Sequence, residues 1–143
     1  MAPTLNRSWI HVVWSTKARQ PFITPEIERH LYPRLAHHFE KEGCRLLSLN
    51  GVADHVQALT GPRLDRPLSE ILRKVNGAFA HWMNHHGQCR ERFAWPIGFA
   101  AISVSPDIVR RVVGYIERQK EHHQKINFGQ EWTQFEALDG TSF

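Results

Sequence analysis

The order of strand-like and helix-like segments is the feature that most constrains the fold of this chain. The segment Ser8–Lys17 is rich in aromatic and β-branched residues, which favour a strand. Apolar residues then recur every four positions from Ile27 to Phe39, which is helical spacing. Thr24 is the predicted N-cap of this helix and Gly43 its predicted end. A helix with one apolar side must pack that side against another element.

Five further segments continue the alternation. We predict two strands, a helix, a strand and a last helix, in the ranges Cys44–Ala53, His55–Pro62, Pro67–Gly87, Gly98–Ser105 and Pro106–Ile126. The first two strands form either a hairpin or one long strand with a bulge, and Ser105 is the predicted N-cap of the last helix. The order β-α-β-β-α-β is the split βαβ, or ferredoxin-like, pattern.

This pattern predicts an α+β fold with a four-stranded antiparallel sheet that carries helices on one face. A C-terminal helix that bears Tyr115 is predicted in addition. No linker or internal repeat divides the sequence, so residues 1–143 are predicted to form a single domain.

Composition narrows the class of protein. The 143 residues carry a formal net charge of +4, and the sequence pI is about 9.4. A basic surface favours a polyanion such as nucleic acid, although solubility alone also explains a charge of this size. No apolar run could cross a bilayer and no secretory signal is visible, so a cytoplasmic protein is expected. Cys44 and Cys89 fit no metal-binding pattern and are expected to be free thiols.

Two polar residues interrupt the apolar strand that follows Asp54. His55 and Gln57 flank Val56, so their side chains lie on the same face of the strand. An imidazole nitrogen and an amide oxygen at this spacing can bind one metal ion. A polar pair on a half-exposed strand is more often simply solvated. Asp54 itself is expected to be a turn residue that points to the opposite face.

The last predicted helix contributes a phenol and an amide. Tyr115 and Gln119 lie four residues apart, along one flank of an apolar stripe that is expected to pack on the sheet. Facing His55 and Gln57, they would supply a nucleophile and a further ligand. Otherwise, Tyr115 is a core residue with a solvated hydroxyl and Gln119 belongs to the helix surface.

The chain resembles the IS200/IS605-type Y1 transposases, which include the REP-associated tyrosine transposases and belong to the HUH single-strand endonucleases. The resemblance rests on five segments in the same order: "IHVVWSTKARQPFI", "GVADHVQALT", "PLSEILRKVNGAFAHWMN", "FAWPIGFAAISVS" and "VVGYIERQKEHH". One departure concerns the chemistry directly, because Gln57 stands where the family has the second histidine of the HUH motif.

The resemblance implies a metal-dependent enzyme that cuts and joins single-stranded hairpin DNA by transesterification. Tyr115 would form a 5′-phosphotyrosine intermediate, and Mg²⁺ or Mn²⁺ would be bound by His55, Gln57 and Gln119. A homodimer with composite sites is also implied, in which the tyrosine helix of one subunit often completes the site of the other, although the sequence does not say whether the site is formed within one subunit or between two. The base that takes the proton of Tyr115 is not identified by the sequence.

Gln57 leaves alternatives open. Its amide oxygen suits a hard cation, so metal binding could persist with altered geometry. The first alternative is a catalytically degraded or domesticated DNA-binding relative, and the second is a ferredoxin-like interaction module without a DNA role. Five basic residues are candidates for contacts with the DNA backbone: Lys17, Arg19, Arg63, Arg73 and Lys74.

Overall fold

An antiparallel sheet of four strands forms the centre of the computed structural model, which describes residues 4–86, 93–96 and 98–138. The strands are β1 (Trp9–Ser15), β2 (Arg45–Val52), β3 (His55–Gly61) and β4 (Ala100–Val104). Their order in the sheet is β2-β3-β1-β4, and each neighbouring pair is antiparallel. This is the strand order that a split βαβ chain produces, so the predicted α+β fold is confirmed.

One face of the sheet is covered by α1 (Pro25–Lys41) and α2 (Leu68–His86). The Thr24 hydroxyl accepts a hydrogen bond from the backbone N–H of Ile27 at 3.2 Å, as an N-cap does. Gly43 follows the helix with a φ of 81°, which is the conformation expected of a glycine at a helix end. Alternate residues of β1 and β3 pack against the apolar sides of both helices in the main core: Val12, Trp14, Leu31, Leu35, Phe39, Val56, Ala58, Val75 and Phe79.

The opposite face of the sheet meets the C-terminal helices α3 (Val109–Glu117), α4 (Gln119–His122) and α5 (Phe128–Glu136). A smaller core joins Leu59 of β3 to Ile116 of α3. Because alternate residues of a strand face opposite sides, this face also receives the side chains of His55 and Gln57.

The prediction of one continuous helix over Pro106–Ile126 is wrong. A 3-10 turn at Pro106–Ile108 precedes α3, and the chain leaves helical geometry at Arg118, where φ is −94° and ψ is 18°. The side-chain amide of Asn50 donates to the carbonyl oxygens of Ile116 and Glu117, at 3.0 and 3.1 Å. Asn50 belongs to β2, which is remote in sequence, and its two hydrogen bonds satisfy the last carbonyl acceptors of α3. These contacts favour the end of the helix at this position.

Ser105 occupies the predicted N-cap position, but its hydroxyl donates to Asp107 rather than accepting from a helical N–H. None of the helices in the described ranges is long and apolar enough to cross a membrane. Cys44 is buried and free, whereas Cys89 lies outside the described residues.

The backbones of β2 and β3 approach each other closely next to the turn of their hairpin. Its register shifts between Leu46 and Ser48, so a bulge accompanies the hairpin. Gly51 pairs with Val56, and a Cβ atom on Gly51 would lie 2.2 Å from the carbonyl oxygen of His55. A Cβ atom cannot rotate away from a backbone atom, so the path of the chain at His55 requires glycine at position 51.

We expect Gly51→Ala to destabilise the fold by about 1–3 kcal/mol, the usual cost of overpacking, because the hairpin must shift to relieve the clash. Gly77→Ala is the matched control, since a Cβ atom at this exposed position of α2 meets nothing within 4 Å. The control should stabilise the protein by up to about 1 kcal/mol through helix propensity. Chemical denaturation measures both changes, and a Gly51→Ala protein as stable as the wild type would contradict the expectation.

Candidate active site

A cluster of buried polar side chains lies between the sheet and the C-terminal helices. His55 and Gln57 of β3, Gln119 of α4 and Glu131 of α5 each have 0% exposed surface. Polar groups that are buried this completely need hydrogen-bond partners, because an unpaired group would lose its hydration without compensation. These four side chains find their partners largely in one another.

His55 and Gln57 lie on one face of β3, as the alternation predicts, and both reach Gln119. The distances to Gln119 Oε1 are 3.0 Å from His55 Nε2 and 2.8 Å from Gln57 Nε2. Gln57 Nε2 also donates to Glu131 Oε1 at 2.9 Å, while Gln57 Oε1 accepts from His11 Nε2 at 2.7 Å. If the Gln57 amide were reversed, its oxygen would lie 2.9 Å from Glu131 Oε1 with no proton or cation between the two oxygens. The nitrogen of Gln57 therefore faces the centre of the cluster.

His55 is held through both ring nitrogens. Its Nδ1 lies 2.9 Å from Asp54 Oδ1, its Nε2 lies 3.2 Å from Glu131 Oε1, and its ring stacks on Phe128 with centroids 4.2 Å apart. The expectation that Asp54 points away is wrong, because this turn residue folds its carboxylate back onto the imidazole. Burial lowers the pKa of His55, but the hydrogen bonds with Asp54 and Glu131 outweigh it, so the pKa is raised.

Tyr115 joins the cluster through Glu131. Its hydroxyl donates to Glu131 Oε2 and lies 3.4 Å from His122 Nε2. The phenol and the His55–Gln57 pair thus contact the same carboxylate within one chain. Burial and then the hydrogen bond with Glu131 raise the pKa of Tyr115 above its ordinary value, so this structure holds the phenol in its neutral form.

Glu131 is the central residue of the cluster, and it was not among the residues predicted from the sequence. Its Oε1 also lies 2.9 Å from His123 Nε2, and its Oε2 accepts from Gln119 Nε2 at 3.2 Å. Burial raises the pKa of Glu131, but the hydrogen bonds with His55 and Tyr115 dominate and hold it well below its usual range. A negative charge therefore lies at the centre of the cluster at neutral pH.

The donor atoms of the cluster fit a hard divalent cation. His55, His123 and Glu131 each offer one ligand atom, and these atoms lie within 4.8 Å of one another. Gln119 Oε1 adds a further oxygen 3.0 Å from His55 Nε2. Adjacent ligands of an octahedral Mg²⁺ are about 3 Å apart, given bond lengths of about 2.0–2.1 Å. A set of carboxylate, amide and imidazole donors at this spacing suits Mg²⁺ or Mn²⁺.

Helix α5 closes the cluster from solvent. Phe128 covers one face of the His55 ring, and Phe135 contacts the His11 ring edge-on with centroids 5.6 Å apart. His55 and Gln119 have no exposed surface, so the cluster is shielded from solvent in this structure.

Lys17 and Arg19 lie at the end of the sheet that carries the site. They form a 3-10 turn directly after β1, whose last residue pairs with His55. The guanidinium carbon of Arg19 lies 5.1 Å from the centroid of the Phe128 ring, which stacks on His55. A positive charge is therefore available beside the cluster.

The other three basic residues predicted to bind DNA lie away from the cluster. Arg63 follows the far end of β3 and pairs with Asp65 at 2.5 Å. Arg73 and Lys74 are exposed on α2, which covers the opposite face of the sheet. The five basic residues that were predicted to contact DNA thus lie on three separate parts of the surface, and only Lys17 and Arg19 are close to the cluster.

Comparison with known proteins identifies the family. The sequence pattern of the Y1 family described as "Transposase IS200 like" matches residues 4–119. The chain belongs to this family of IS200-like transposases. No curated protein matches the chain significantly.

Two solved structures share the fold of this IS200-like transposase. A candidate transposase from Deinococcus radiodurans R1 has a TM-score of 0.59 and 21% identity, over 83% of this chain and 96% of that protein. A REP-associated tyrosine transposase bound to a REP hairpin has a TM-score of 0.65 and 13% identity, over 88% of this chain and 74% of that protein.

The family match ends at Gln119, so Glu131 lies beyond it. A sequence signal for α5 does exist: Asn127 and Gln130 form a reciprocal capping box, with side chain to backbone distances of 2.8 and 2.9 Å. Phe128 and Trp132 then follow at helical spacing, with Glu131 between them. This pattern predicts a helix, but it does not predict that the glutamate faces inward.

We expect Glu131→Gln to lower the pKa of Tyr115 relative to wild type, because tyrosinate would no longer form beside a carboxylate. The pKa should stay above its ordinary value of about 10, since the burial of the phenol remains. Tyr32 is the other tyrosine of the chain, so the ultraviolet titration is made in a Tyr32→Phe background. Glu136→Gln, an exposed change on the same helix, should leave the titration unchanged. Equal titration curves for wild type and Glu131→Gln would contradict the assigned contact.

Proposed function

We propose that this IS200-like transposase cuts and joins single-stranded DNA through a 5′-phosphotyrosine intermediate. The observation that supports the proposal best is the hydrogen-bonded link from Tyr115 through Glu131 to His55, Gln57 and Gln119. A nucleophile, two amides and an imidazole meet there in one chain. This arrangement favours a site formed within one subunit. We propose separately that the protein is a homodimer.

The proposed reaction is a transesterification at one DNA phosphate. The Tyr115 oxygen attacks phosphorus, and the bond from phosphorus to the 3′-oxygen of the preceding nucleotide breaks. The phenol proton passes to Glu131, which already accepts its hydrogen bond. The protonated Glu131 then supplies the proton that turns the departing 3′-oxygen into a hydroxyl. The new ester conserves the bond energy, so attack by another 3′-hydroxyl can join a strand without ATP.

His55, Gln57 and Gln119 would hold Mg²⁺ or Mn²⁺, which would offset the charge that develops on the phosphate. For Gln57 to act as a ligand, its amide must turn so that the oxygen faces the cluster. His11 would then accept a hydrogen bond from the amide rather than donate one, and a neutral imidazole can do either.

Hairpin DNA is the proposed substrate. The similar REP-associated tyrosine transposase was solved with a REP hairpin, and this chain has a basic sequence. Lys17 and Arg19 would contact the backbone near the scissile phosphate, because they lie beside the cluster. We propose that Arg63, Arg73 and Lys74 contact more distant parts of the DNA.

DNA binding without cleavage is a second candidate function. It is favoured by the complete burial of His55 and Gln119 beneath α5, and by the amide nitrogen that Gln57 presents to the cluster. Formation of a covalent adduct distinguishes the two candidates, because a protein that only binds DNA forms none.

We expect the wild-type protein with Mn²⁺ to form a denaturation-resistant adduct with labelled single-stranded DNA. The probe is a pool of oligonucleotides with a fixed stem-loop and randomised flanks. Tyr115→Phe should abolish the adduct, because it removes the attacking oxygen, while Tyr32→Phe should retain it. An adduct that persists in Tyr115→Phe would reject the nucleophile, and absence of an adduct with the wild type would favour the binding-only function.

We expect Arg19→Gln to weaken binding of the same DNA pool and to reduce the slope of log affinity against log salt concentration by about 0.7, the value for one lost phosphate contact on a single strand. Arg63→Gln should have a smaller effect, since Asp65 already pairs with that charge. Filter binding over a series of salt concentrations measures both slopes. An unchanged slope in Arg19→Gln would show that Arg19 does not contact phosphate.

A further inference from the structure

We propose that Glu131 supplies the anionic ligand of the divalent-cation site in this chain. The inference deepens the proposed function and rests on its metal site. It adds a residue from α5, which lies beyond the family match at residues 4–119. The cation class is a hard divalent ion, Mg²⁺ or Mn²⁺.

Two acceptor oxygens and one imidazole nitrogen converge on one point of the cluster. Gln119 Oε1, Glu131 Oε1 and His55 Nε2 lie 2.8, 2.9 and 3.3 Å from Gln57 Nε2. An amide N–H₂ group is the positive end of a dipole, so the lone pairs of the two oxygens face a partial positive charge. His55 Nε2 would add its lone pair after losing the proton that it donates to Gln119 Oε1. A small cation requires the same convergence of lone pairs from oxygen and nitrogen ligands.

The charge of the ligand set favours Glu131 as a member. His55, Gln57 and Gln119 are all neutral when they act as ligands, and an amide oxygen replaces the imidazole that the family has at position 57. Sites for hard cations gain affinity as the number of charged ligands rises. Glu131 therefore provides what the substitution at position 57 removes, namely a strong donor directed at the same point.

The surroundings of Glu131 hold it in a fixed orientation. Phe128 stacks on His55 one turn earlier in α5, and the capping box at Asn127 fixes the start of the helix. Glu131 Oε1 faces the imidazoles of His55 and His123, whereas Oε2 faces Tyr115. One carboxylate oxygen is thus directed at the candidate ligands and the other at the nucleophile.

A rival role for Glu131 makes the opposite prediction. If the carboxylate only fills the cluster and competes with the cation for His55 and Gln119, its removal should leave cation affinity unchanged or increase it. If it is a ligand, its removal should weaken the affinity.

The test is Mn²⁺ binding to the full chain without DNA, measured from the electron paramagnetic resonance signal of the free ion. We expect Glu131→Gln to weaken binding about 10-fold or more, since changes even to groups behind the ligands typically cost about 10–100-fold. Glu136→Gln removes a charge from the exposed side of the same helix and should bind as the wild type does. Unchanged or tighter binding by Glu131→Gln, or no binding by the wild type, would overturn the inference.

A second measurement uses the wild-type protein, in case Glu131→Gln does not fold. In protein labelled with ¹³C at the glutamate carboxyl groups, a trace of Mn²⁺ should broaden one resonance well before the others, because broadening falls steeply with distance. Uniform broadening of all glutamates would reject Glu131 as a ligand. Both measurements of Mn²⁺ binding are independent of DNA cleavage. If Mn²⁺ binding requires Glu131 but no DNA adduct forms, the proposed function is refuted and the role of Glu131 as a ligand is not.

Discussion

A carboxylate with no exposed surface links the C-terminal helices of this transposase to its sheet. An unpaired charge at such a position would cost several kcal/mol. Glu131 is instead paired with groups from three other elements: His55 and Gln57 of β3, Tyr115 of α3 and Gln119 of α4. Loss of any one partner leaves part of the charge unsatisfied, so the positions of these four side chains depend on one another.

The β2–β3 hairpin determines the other half of the site. Asn50 of β2 contacts the last carbonyls of α3, and Lys120 of α4 donates to the Asn50 side chain at 2.9 Å. Gly51 admits the backbone of His55, and Asp54 orients the His55 ring. Asn50, Gly51 and Asp54 lie within one short stretch of the chain. Together they position the His55 imidazole and the break between α3 and α4.

Sequence patterns predicted the parts of this structure that depend on local periodicity. Alternation in β3 placed His55 and Gln57 on one face, and the resemblance to the family linked them to Tyr115 and Gln119. The break at Arg118 could not be predicted, because its partner Asn50 is more than 60 residues away in sequence. Glu131 was missed for a similar reason. A glutamate in a helix is usually exposed, and its burial follows from where α5 docks rather than from its neighbours in the chain.

The position of α5 in the sequence has a consequence for how relatives of this protein are compared. A comparison that stops at Gln119 includes the imidazole of His55, the amides of Gln57 and Gln119 and the phenol of Tyr115. A protein shortened to those residues would keep every side chain that such a comparison inspects. Its centre would nevertheless lack Glu131, the buried carboxylate around which these groups are arranged here.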